Sequence, residues 1–96
     1  MITEAYSYRF KENVDLAQAR GTLLLSVLAA EGLYGAAQVR LDLGLAADEA
    51  IGVIVVDAST DVGQAVNGIF TNLLMREFGP ESFGVKRVAG LSEVWR

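Results

Sequence analysis

A chain of 96 residues with 52% hydrophobic and 21% charged side chains has the size for one hydrophobic core. This predicts a single domain over 1–96, with the core at about 5–88 and a C-terminal tail at 89–96. Cys and His are both absent, which excludes disulfides, thiolate metal sites, the usual zinc ligands and histidine-based triads. The formal net charge of −4, from 12 acidic and 8 basic residues, opposes non-specific binding to phosphate backbones.

Taken in chain order, Ala5 to Lys11 alternates Tyr6, Tyr8 and Phe10 with Ser7, Arg9 and Lys11, the period-two pattern of a strand with one buried face. Asp15, with Gln18 three residues on, reads as the start of a helix running to about Tyr34, where Gly35 is a C-terminal stop. Leu16, Leu23, Leu24, Val27 and Leu28 form the expected core stripe of that helix, with Leu25 and Leu33 lying off it. The run Leu23–Ala30 is broken by Ser26 and is far shorter than the roughly 20 residues that span a bilayer. No basic region followed by an apolar one stands near Ile2, Thr3 and Glu4, so a cytoplasmic location without membrane contact is the expectation.

Val39, Leu41, Leu43 and Leu45 alternate with Arg40, Asp42 and Gly44 and predict a second strand, followed by a turn at Ala46–Glu49. Ala50 to Val56, apolar at nearly every position, predicts a central third strand. Asp61, three residues before Gln64, predicts a second helix carrying Val62, Val66, Ile69, Phe70, Leu73, Leu74 and Phe78 and ended by Gly79 and Pro80. Phe83 to Val88 is the fourth strand.

The order βαββαβ predicts an α+β, ferredoxin-like two-layer sandwich: a four-stranded antiparallel sheet with two helices on one face. Such a fold has two related halves. Asp15 and Asp61 stand 46 positions apart, and the same offset lays Leu23 on Ile69, Val27 on Leu73, Tyr8 on Ile54 and Val39 on Val85. If Tyr6, Tyr8 and Phe10 face the helices, so do Gly52, Ile54 and Val56. Ile51, Val53 and Val55 then face the open side of the sheet with Val88 and with Arg9, Arg40 and Lys86.

These seven residues are the candidate interface, because an apolar stripe on an open sheet face calls for a cover. The cover expected is a second copy of the chain or another protein; the competing cover is the tail, with Leu91, Val94 and Trp95. A nucleic-acid partner is disfavoured, since the strand aromatics that would stack bases point inward and the net charge is negative. Asp57 and Asp61 flank the start of the second helix without a partner set for phosphate chemistry, and Gly63 to Gly68 is followed by Ile69 and Phe70 where a phosphate loop needs Lys and Ser/Thr. Gly63, Asn67, Gly68 and Asn72 offer a second possible packing surface.

No catalytic, cofactor-binding or metal-binding residue is assigned. The expected function is a non-enzymatic homo-oligomeric scaffold or protein-interaction module, pairing as a dimer through its open sheet face. The alternative is a small-ligand sensor with its site near Glu12–Asp15 or at the dimer seam.

Overall fold

The computed structural model describes residues 4–88, which form β1 (Ala5–Phe10), α1 (Leu16–Tyr34), α2 (Ala36–Asp42), β2 (Gly44–Asp48), β3 (Val53–Asp57), α3 (Asp61–Glu77) and β4 (Phe83–Val88). The four strands make one antiparallel sheet in the order β2-β3-β1-β4, so β2 and β4 are its edges. One core lies between sheet and helices: Tyr8, Phe10, Ile54 and Val56 meet Ala19, Leu23, Ala30, Val39, Val62, Val66, Phe70 and Leu74. The described residues thus form an α+β, two-layer sandwich with three helices rather than the two expected.

The period-two aromatics set β1 as expected. Tyr8 pairs with Ile54 and with Val85, so these share the helix-covered face. Its ring meets Phe70 edge-on at 4.9 Å, and its hydroxyl donates to Asn67 Oδ1 and lies 2.6 Å from Thr71 Oγ1. A fully buried tyrosine thereby keeps its polar end satisfied.

Cap residues place the long helices. Asp15 caps α1 by accepting from the Ala17 amide at 3.0 Å. On α3 the cap is Thr60, one residue before the expected Asp61; its hydroxyl accepts from the Gly63 amide at 3.0 Å and donates to the Asp42 carbonyl at 2.9 Å. Asp61 instead sits in the first turn, where its charge faces the positive helix end. At Gly63 an added Cβ would lie 2.0 Å from the Asp57 carbonyl oxygen, so only glycine lets α3 seat against the end of β3.

The second strand is where sequence and structure part. Ala36–Asp42 is helical, β2 keeps only Gly44 and Leu45 of the expected strand and runs on to Asp48 through the segment expected as a turn, and β3 begins at Val53 rather than Ala50. Val39 and Leu43 fit a helix spacing of four as well as they fit alternation, and Ala36, Ala37, Gln38 and Arg40 are good helix formers. Burial decides: Val39 is in the core, whereas Leu41 is 82% exposed. Gly35 makes the second helix possible, because its φ of 83° lets the chain turn by 119° between α1 and α2. The 46-residue correspondence therefore holds for Tyr8 with Ile54. In the helices it slips, since it sets the cap Asp15 against Asp61, one residue inside α3, and exposed Leu24 against buried Phe70. It lapses at Val39 and Val85, one on a helix and the other on β4.

Candidate functional site

The surface that stands out is α1. Its buried residues are Ala19, Thr22, Leu23, Ser26 and Ala30, a row that is mostly small and partly polar. Thr22 donates to the Gln18 carbonyl or the Glu77 carboxylate, and Ser26 donates to the Thr22 carbonyl at 3.0 Å, so the inward hydroxyls are satisfied. Small inward residues allow a close approach to α3, and the large side chains are left outside. Leu24 and Leu28, expected in the core, are 58% and 51% exposed, and Leu25 is 59% exposed.

Helical spacing gathers these onto one strip. Ala17, Gly21, Leu24, Leu25, Leu28 and Gly32 recur at intervals of four, three, one, three and four, all on the side opposite the buried row. No charged residue stands between Arg20 and Glu31. A helix apolar on both sides is one whose outer side expects a cover.

Beside this strip runs a groove of about 630 Å³ between α1 and the edge strand β2, lined by Ala17, Gly21, Leu24 and Val27 on one wall and Leu43, Leu45 and Ala47 on the other. Leu45 and Ala47 are on the helix side of the sheet, paired with Val56 and Ile54, yet both are exposed because α1 does not close over them. At the mouth of the groove Arg20 forms an exposed ion pair with Glu49.

The seven candidate interface residues are not one surface. Ser7, Arg9, Val53, Val55, Lys86 and Val88 do share the sheet face away from the helices, by the pairings Ser7 with Val55 and Lys86, Arg9 with Val53, and Ala5 with Val88. Arg40 is instead on α2, among the helices, and Ile51 is in the β2–β3 turn, because the second strand starts four residues beyond Arg40 and the third starts two residues beyond Ile51. Val53 and Val55 are 1% and 0% exposed and cluster with Ala5, with Ala46 and Val88 packed against them. The expected tail with Leu91, Val94 and Trp95 lies outside the described residues.

Other sites are sparse. A cleft of about 320 Å³ lies between the β1–α1 loop and the β2–β3 turn, with Lys11, Glu12, Val14 and Ile51 on its walls. Asp57 uses one carboxylate oxygen to accept from the Ser59 amide, a local turn contact. Among the described residues no three carboxylates gather in a metal-binding group, and no single helix is long and apolar enough to cross a membrane. Burial raises the pKa of the Tyr8 phenol above its ordinary value, with the Thr71 hydrogen bond acting in the opposite direction. Compared with known proteins, the chain matches no protein-family model, no curated protein and no solved structure.

Proposed function

We propose that this protein is a non-enzymatic interaction module that pairs with a second copy through the outer strip of α1, on a ferredoxin-like frame. The observation that carries the reading is the inverted helix, with small residues inside and Leu24, Leu25 and Leu28 outside. Covering what those three leucines still expose on two protomers is worth on the order of 5–10 kcal/mol, at about 1.5–3 kcal/mol per fully buried leucine. That is comparable with an association cost of about 4–15 kcal/mol. The strand order, which reads β4-β1-β3-β2 from the other edge, and the capped crossovers α1 and α3 support the frame; α2 is an addition to it.

Light scattering coupled to size exclusion tests this across a concentration series. The wild type is expected to be a dimer, and Leu24→Lys combined with Leu28→Lys a folded monomer with unchanged far-ultraviolet circular dichroism. A wild type that stays monomeric at every concentration sinks the reading. The sheet face is the weaker surface for pairing, because Val53 and Val55 have almost no area left to bury. Val53→Lys is accordingly expected to damage the fold itself, by forcing an unpaired charge into a closed site.

A second reading, a small-ligand sensor, draws on the cleft beside Glu12 and Val14, whose size is at the lower end for small-molecule sites. A saturable thermal shift with amino acids, nucleotides or divalent ions would favour it, and silence across the panel would count against it.

A further inference from the structure

The two edges of the sheet are built differently. β4 carries Lys86 and Arg87, both exposed, and charge on an edge strand discourages a further strand from adding. β2 carries no charge and no proline from Gly44 to Ala47, and its first charged residue is Asp48 at its end. Among the described residues it is an unprotected edge, and the groove that exposes Leu45 and Ala47 runs along it.

We propose that β2 pairs antiparallel with β2 of a second copy about a two-fold axis at Ala46, joining two four-stranded sheets into one of eight strands. This rests on the reading of the chain as a self-pairing module and specifies the seam. The sequence of the strand suits its own reversal. With Ala46 opposite its counterpart, Leu45 meets the partner copy's residue 47, an alanine, and Gly44 meets residue 48, an aspartate. Large meets small on the helix side, and the two aspartates fall at opposite ends of the seam, so no like charges face each other. Leu24 lines the same groove as Leu45, so the Leu24 side of each α1 flanks the join and the groove becomes enclosed rather than open. The occupant is therefore a second copy, because reversal of the edge sets large against small and brings no like charges together.

The lack of native cysteine makes the test direct. Directly opposed residues in an antiparallel pair have Cα atoms about 4.5–5.5 Å apart, within the roughly 4.4–6.8 Å that a disulfide spans. Ala46→Cys should oxidise to a covalent dimer at least about tenfold faster than Val85→Cys, which places an exposed thiol on the other edge. If Ala46→Cys does not fold, Leu45→Cys and Ala47→Cys, both at exposed positions, serve instead: made as separate chains of different tag length, they should form the mixed disulfide in preference to either self-disulfide. A wild type that is dimeric by light scattering while neither design bridges faster than Val85→Cys overturns the β2 seam and leaves pairing through α1 standing. A monomeric wild type overturns both.

Discussion

The helices α1 and α3 lie side by side over the same sheet and solve opposite problems. α3 buries Val62, Val66, Phe70 and Leu74, each one turn from the last, and gives Gln64, Asn72 and Arg76 to solvent. α1 buries alanines, a threonine, a serine and one leucine, and gives leucines to solvent. The first is a helix whose sequence is explained by one core. The second carries more apolar surface than that core uses, and the excess is on the far side. The lesson is that in a helix apolar on both sides only burial shows which side the core has taken and which is left outside.

The contrast breaks most visibly at Phe70. Phe70→Ala on α3 is expected to cost about 3–5 kcal/mol of stability, as measured by denaturant unfolding, because it empties a site fully closed by the core. An effect below about 1 kcal/mol would mean that α3 is not the structural helix described.

A smaller loss is expected from Tyr8→Phe, which leaves the Asn67 and Thr71 groups around the missing hydroxyl short of a partner, at about 1–3 kcal/mol. It also removes a titration. Since the folded-state pKa of Tyr8 is raised, the protonated phenol is favoured by folding; its contribution is complete below the ordinary tyrosine value of 10.0 and is lost as pH rises through the folded-state pKa. Wild-type stability should therefore fall above about pH 10 more steeply than that of Tyr8→Phe. Parallel alkaline profiles would remove Tyr8 as the source.

The smallest effect sharpens the comparison from the other side. Leu25→Gln on α1 should change the unfolding free energy of a protomer by no more than about 0.5 kcal/mol, because its side chain already meets solvent. Its dimer dissociation constant, read by light scattering on dilution, should rise by about tenfold or more. A variant that loses stability but keeps its affinity would make α1 an ordinary core helix.

Much of this frame was legible in the residues. Alternating aromatics marked β1, Asp15 and Gly35 bounded α1, Gly79 closed α3, and Phe83 to Val88 formed β4 at the expected bounds. The correspondence of Tyr8 with Ile54 gave the correct inward face of β3. Around Val39 the pattern was ambiguous, since residues four apart satisfy both a helix and an alternating strand, and only packing separates Val39 from Leu41. The site was less legible. Hydrophobicity alone placed Leu24 and Leu28 in the core, because nothing in a sequence says that a helix will press its alanines and hydroxyls inward. The signal that could have raised the question was the uncharged run from Gly21 to Ala30, too apolar for a helix with one wet side.

The strand order also sets a timetable for synthesis. β1 lies between β3 and β4, and Ala5 pairs with both Asp57 and Val88, so the earliest strand waits for two of the latest. At about 5–20 residues per second, on the order of 4–15 s pass between the emergence of β1 and that of β4. Throughout that interval β1 has unmet backbone groups, and the leucines of α1 are already made. Nascent chains crowded on one message would meet each other in this unfinished state, where the apolar outer strip of α1 can entangle incomplete chains before a core has formed.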